Sequence, residues 1–464
     1  MMNEKIKLAV IPVKRGFTSL ENALYYKEKI MSSVRKQIGN NALIVDAEDI
    51  VDGGILYKIE DISKVTDRLK AENIDGLFMP HCDFGTEEVI GRVAKMMQVP
   101  FLLWGNRDKG PDPETGKRTT GDTQCGVLAS SKALQRYQVP FSYIVNSGYD
   151  SEEFKTGLNN FLRVVSVVKR FNNMRIAQIG NRPRPFMSVM TDENDLLSRF
   201  GIEVVPLSAI HIIEEVKEMV SANTQRLNEE ISQIKERVDC TAMQSEALAK
   251  IAALKLVIKD MLDENNCNAA SLECWSLFPE ALGIVPCFVV AELTEIGLPV
   301  ACEMDINGAV TSALLQAAGL DRDETFFADL TIRHPENDNA ELLWHCGPFP
   351  HSLRDKGGKS CLVEGRGQWG LKEGNITIAR FDAMDGQYSL FAGEAKGIKG
   401  PKTEGTYLWI EVDDWKKWEE KIVFGPYIHH VVGVYGKYTK VLTEACKYIN
   451  GLNSDPVDTV ELSL

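Results

Sequence analysis

Three residues in one short span, Glu303, Asp329 and His345, have side chains able to hold a divalent cation or to move a proton, and the pattern around them gives them no core role. In GAVTSALLQAAGL, Ala309, Val310, Ala313, Leu314, Ala317 and Ala318 share one helical face. That spacing predicts a helix beginning near Asn307 and stopping at Gly319. Asp305 and Asn307 then read as N-terminal caps. Glu303 precedes the cap at the end of the strand-like VACE, where α/β sheets hold their ligands. A carboxylate there is free for chemistry.

The next segment, TFFADLTIRHPENDNAELLWHCG, alternates with a strand period on both sides of RHPENDN. A hairpin centred on Asn337 sets Asp329 and His345 eight residues each way from the turn. They would then be direct cross-strand neighbours, with Cβ atoms about 4.5 to 5.5 Å apart. Five of the seven histidines fall between 334 and 430, including the pair His429 and His430 in GPYIHHVVGV. Adjacent strand residues point to opposite faces, so one of that pair is expected to reach the site. Two carboxylates with one or two imidazoles suit Mn²⁺, Fe²⁺, Co²⁺ or Zn²⁺. Oxygen-dominated coordination with open water positions favours Mn²⁺ or Mg²⁺. The proline-stiffened loop GNRPRPF presents Arg182 and Arg184, suited to an anion or another polar ligand. Neither this loop nor LAVIPVKRGF carries the G-x-G-x-x-G fingerprint, and there is no P-loop or G-x-S-x-G motif.

The elements that must position this chemistry form three groups. LAVIPV, ALIVDA, GLFMPH, FLLWGN and FSYIVN are apolar on both faces, as parallel strands covered by helices are, and amphipathic stretches separate them. They predict a Rossmann-like α/β domain over residues 1–170. A second begins at MRIAQIG and is expected over 171–345, with Gly201 ending a helix before IEVVPL, then two longer helices, then a strand ASLECWSLF. From 346 to 464 short glycine-punctuated strand patterns, including KIVFGPYIHHVVGV, predict an antiparallel β-barrel-like domain. A closing helix should end on Gly451, with the last dozen residues frayed.

With 464 residues the chain exceeds one ordinary core. Its net charge of −14 argues against binding nucleic acid or an anionic membrane. No apolar run is long enough for a spanning helix, the start lacks a signal-peptide pattern, and ten cysteines occur without a C-x-x-C pair. A cytoplasmic protein with reduced thiols is expected.

CEMDINGAVTSALL, FFADLTIRHPENDNAELLWHCGPFP and GPYIHHVV, with ECWSLFPEALGIVPC and NRPRPF, resemble the L-fucose isomerase and L-arabinose isomerase superfamily, and the L-fucose isomerase-like proteins in particular. The match in order and spacing covers roughly residues 170 to 440. The resemblance implies that Glu303 and Asp329 bind a metal and also handle protons, and that His430, in preference to His429, is a further ligand. His345 matches an additional ligand of the arabinose type. Arg182, Arg184, His345 and Asn307 are the expected sugar contacts. The implied activity is metal-dependent aldose–ketose isomerisation through a cis-enediol, with Mn²⁺ the expected ion, Mg²⁺, Co²⁺ or Fe²⁺ as alternatives, and no organic cofactor. The implied assembly is a homo-oligomer in which a neighbouring first domain helps close the pocket. The competing expectations are a sugar-binding sensor and a metal-dependent aldolase or epimerase.

Overall fold

The computed structural model describes residues 5–116 and 121–464. The chain forms two compact units. One comprises Arg170–Thr443 with Asn450–Thr459; the other comprises the residues up to Lys169 with Glu444–Ile449 and Val460–Leu464.

In the N-terminal unit β1 (Ile6–Val10), β2 (Ala42–Val45), β3 (Gly76–Phe78), β4 (Phe101–Leu103) and β5 (Ser142–Tyr143) make a wholly parallel sheet in the order 2-1-3-4-5. Each lies within one of the five apolar runs or overlaps it. Side chains such as Ile11, Leu77, Phe101, Val89 and Val93 form a continuous core, as a sheet covered by helices requires.

The larger unit begins with a second parallel sheet of β6 (Arg175–Ile179), β7 (Glu203–Leu207), β8 (Ala269–Leu272) and β9 (Val300–Ala301), in the order 7-6-8-9. Gly201, at φ +70°, ends the helix before β7 as the sequence predicts. Three helices, not two, lie between β7 and β8: Ala209–Ala222, Gln225–Arg237 and Ser245–Glu264. Asn223, at φ +47°, and the capping hydroxyl of Thr224 split what otherwise reads as one helix. ASLECWSLF is not one strand either. β8 ends at Leu272, and the Glu273 carboxylate accepts from the amides of Trp275, Ser276 and Leu277, starting the helix Leu277–Leu282.

The rest of this unit is a closed antiparallel barrel. Its strands are β10 (Thr325–His334), β11 (Asn337–His345), β14 (Gly374–Met384), β15 (Gln387–Ile398), β16 (Thr406–Glu411) and β17 (His430–Tyr435). Pairing runs 16-11-10-17-14-15 and closes from β15 back to β16. The short β12 (Cys361–Val363) and β13 (Arg366–Gly370) extend it from β16. The barrel's first hairpin thus precedes residue 346. KIVF lies in the helix Trp415–Phe424 and is not strand. The C-terminal segment is not frayed throughout, since β18 (Leu452–Pro456) pairs in parallel with β15, and the closing helix ends at Cys446.

The helix Ile306–Ala318 is buried at every position and packs against β8 and β9 on one side and β10, β14 and β17 on the other. A helix buried all round has no solvent face to offer, and its polar Asn307, Thr311, Ser312 and Gln316 lie inside with the rest, so it becomes the common core of sheet and barrel. Everything at its N-terminus is held by both.

Candidate active site

The site is built where the carboxyl ends of β8 and β9 meet β10 and β17. Between β9 and the central helix the chain turns sharply, and Glu303 and Met304 both adopt left-handed backbone, at φ +61° and +60°. Non-glycine residues take that conformation at a cost and hold it only when their surroundings fix it. Here Asp305 caps the helix through the Gly308 amide at 2.8 Å, and the Met304 amide donates to the Leu272 carbonyl. The turn aims Glu303 at the barrel. Asn307 is not a cap: it lies inside the first turn, accepting from Thr191 Oγ1 at 3.0 Å and donating to Asp382 Oδ1 at 2.9 Å.

His430 is the meeting point. It is fully buried at the start of β17; its Nε2 lies 3.1 Å from Glu303 Oε2 and 3.4 Å from Asp329 Oδ1, and its Nδ1 lies 2.9 Å from Asp305 Oδ2. A carboxylate can only accept, so Nδ1 carries a proton and donates it to Asp305. Asp329 reaches the same point because β10 and β17 pair with Asp329 directly opposite His430. Burial opposes charge on Asp305, Glu303 and His430. For Asp305 the Arg380 guanidinium and His430 outweigh it and hold the carboxyl far below its usual range. For Glu303 the pull of His430, His345 and the Trp275 indole likewise leaves the pKa lowered, while Asp305 and Glu303 raise that of His430.

The hairpin register differs from the one expected. The turn is the two-residue Pro335–Glu336 and not a loop centred on Asn337, and two irregularities in β10 shift the pairing so that Asp329 faces Trp344. His345 therefore does not sit directly across from Asp329. Its ring still lies 5.7 Å from that of Phe327, which makes an edge contact with His430 at 4.9 Å. His345 Nδ1 accepts from the Cys346 amide at 2.9 Å. Against burial, Asp329 and Glu303 favour a proton on the ring, and the amide contact directs it to Nε2.

The expectation that His429 and His430 diverge also fails. β17 begins at His430, so strand alternation does not govern His429. The ligand atoms of Asp329, His429 and His430 lie within 4.8 Å of one another. His429 reaches solvent with part of its ring only; the protein packed over the rest, together with His430, lowers its pKa.

Two aromatic side chains frame the site. Trp275 Nε1 donates to Glu303 Oε1 at 3.0 Å, and Phe186 stacks on both Trp275 and His429 at 5.7 Å between ring centroids. Phe186 belongs to the loop of Arg182 and Arg184. Arg182 braces it, donating to the carbonyls of Pro183, Arg184 and Phe186, while Arg184 is exposed two residues from Phe186. Asp305, Arg380, Trp275 and Phe186 are contributions that the motif spacing does not reveal.

The donor set fits a divalent cation. Asp329 Oδ1 and His430 Nε2 are buried without a well-formed hydrogen bond, and carboxylate oxygens with imidazole nitrogens are the ligands such ions take. Among the described residues no helix is long and apolar enough to cross a membrane.

Residues 9–172 match the family described as fucose/sulfoquinovose isomerase, N-terminal domain. The chain is 25% identical over 452 residues to the sulfoquinovose isomerases of Priestia aryabhattai and Priestia megaterium, covering 95% of this chain and 97% of each relative. It is 26% identical over 333 residues to the sulfoquinovose isomerase of Alkalicoccus urumqiensis, covering 70% of this chain and 73% of that protein.

Proposed function

We propose that the chain, a sugar aldose–ketose isomerase similar to the fucose isomerase-like family, acts on a sulfonated hexose, with Glu303, Asp329 and His430 holding a divalent cation. The observation that carries the proposal is the convergence of Glu303 Oε2 and Asp329 Oδ1 on His430 Nε2, at 3.1 and 3.4 Å.

Aldose-to-ketose conversion takes the proton from C2 and returns one to C1, while a proton passes between O2 and O1. Two carboxylates on one small volume suit those transfers. Glu303 is the better base for the carbon-bound proton, since Trp275 and the strained turn fix its direction. Asp329 is suited to the oxygen-bound proton, and His345, with its Nε2–H unpaired, to donating to a sugar oxygen. A bound divalent ion, with Mn²⁺ the best match to the donors, supplies Lewis-acid stabilisation of the developing enediolate charge. Phe186 and Trp275 cover the apolar face of the sugar and limit water.

Relatives named for sulfoquinovose support an anionic substrate, and Arg184 is the residue of this chain best suited to its sulfonate. It lies on a loop that Arg182 stiffens, beside the aromatic wall. A guanidinium offers forked donors to the oxygens of such a group. Asn307, with its amide engaged by Thr191 and Asp382, is a support for the site and not a sugar contact. The test is a panel of aldoses, sulfoquinovose, glucose, fucose and arabinose, incubated with Mn²⁺ and followed for ketose. Sulfoquinovose should convert fastest; preference for a neutral aldose would reject the anionic assignment, and cleavage into two fragments would indicate an aldolase.

A further inference from the structure

Arg380 touches none of the groups proposed to meet the sugar, yet it is the side chain through which the site is held together. It sits on β14 with no exposure. Nη1 and Nη2 both donate to the Asp305 carboxylate, the latter at 3.1 Å. Nε and Nη2 reach Asp382 Oδ2 at 2.9 and 2.8 Å. Asp382 is itself fixed by the Asn307 amide and its neighbour's backbone, each at 2.9 Å. Buried charges persist only when paired and hydrogen-bonded to this degree.

Asp305 has two further attachments. Its position caps the central helix, and its Oδ2 accepts the proton of His430 Nδ1. With Nδ1 so committed, the lone pair of the neutral ring is on Nε2, which faces Glu303 and Asp329. The same residue ends the turn in which Glu303 and Met304 are held left-handed. A freed Asp305 would release the ring and the turn together.

We propose that Asp305 and Arg380 are positioning residues that set the tautomer of His430 and the direction of Glu303, and so prepare the cation site. Two carboxylates against one guanidinium also leave a surplus negative charge beneath His430, which adds to the attraction for a divalent ion. This rests on the reading of Glu303, Asp329 and His430 as ligands.

The test uses metal-stripped full-length protein. Calorimetric titration with Mn²⁺ and the visible spectrum of the Co²⁺ form are compared for wild type, D305N, R380K and H430Q, with thermal unfolding recorded in EDTA. D305N should bind Mn²⁺ about ten- to a hundredfold more weakly than wild type, the usual range for losing such a support. Its Co²⁺ spectrum should approach that of H430Q. R380K, which keeps the charge and loses the fork, should fall between. An effect on folding alone would lower the melting temperature in EDTA and leave the spectrum of the bound ion unchanged; that outcome, or D305N affinity within twofold of wild type, overturns the proposal. Should D305N not fold, R380K decides by the same two readouts. If H430Q binds as wild type does, the ligand reading itself is wrong.

Discussion

The Trp275 indole donates to Glu303 Oε1 at 3.0 Å while the other oxygen of that carboxylate faces His430 at 3.1 Å. The residue assigned to the carbon-bound proton is therefore steered from two sides. Substituting Trp275 by Phe keeps the ring stack with Phe186 and deletes only the donor. A hydrogen bond to a charged group is worth about 1.5–3 kcal/mol, so W275F should lower kcat roughly tenfold or more with little change in melting temperature. Steady-state kinetics beside a thermal melt checks this.

Glu303→Gln keeps the shape of the side chain and removes its charge. Ketose formation should fall below detection, while circular dichroism and melting stay close to wild type. Near-normal turnover would remove Glu303 from the mechanism.

Gly308 marks how closely the central helix approaches the barrel. A Cβ at that position would meet the Phe327 ring at 2.4 Å and Asp305 Oδ2 at 2.8 Å. G308A favours helix by propensity, yet it should destabilise the protein and weaken Mn²⁺ binding, because the atoms it displaces include the acceptor for His430. Chemical denaturation and metal titration together test this, and a stabilised variant with unchanged metal affinity would contradict it.

Arg184 and Arg182 should separate by phenotype. R184A should raise KM for a sulfonated aldose about tenfold while sparing kcat, the signature of lost uniform binding. R182A should also loosen the loop, since its guanidinium braces three carbonyls. Kinetics on sulfoquinovose and protease sensitivity of the loop distinguish the two.

A pH effect on stability arises away from the site. Glu341 on β11 is 4% exposed and its Oε2 makes no hydrogen bond; burial, only partly offset by Arg333 at 3.9 Å, pushes its pKa up to about 7. A raised folded-state pKa means that the associated stability is fully present below about pH 4.5, the unfolded value, and is lost as pH rises through 7. E341Q should therefore gain about 1–3 kcal/mol over wild type at pH 8.5 and much less at pH 5. Denaturant curves at the two pH values supply the measurement.

Much of this architecture was legible in the chain. Parallel strands betray themselves by being apolar on both faces, so LAVIPV and FLLWGN marked the first sheet, and the alternation around Asp329 marked the barrel hairpin. What escaped was set by non-local geometry. The irregularities in β10 move the register by residues that no periodicity encodes, placing Trp344 opposite Asp329. Asp305 was readable as a cap, but its second role depends on β17 and β14, far away in sequence. A signal for Arg380 existed: in GNITIARFDA it shares a strand face with Ile376, Ile378 and Asp382, and a charge amid apolar neighbours requires a buried partner. The His429 and His430 expectation failed because alternation was applied one residue before the strand begins.

The central claim is that Glu303, Asp329 and His430 work on a sulfonated aldose through a divalent ion. Its most direct test is to incubate metal-stripped protein with sulfoquinovose and follow ketose by NMR before and after adding Mn²⁺. The account predicts no conversion with EDTA and restored conversion with Mn²⁺ in wild type, with H430Q inactive in both. Full turnover in EDTA, or in H430Q, would contradict it.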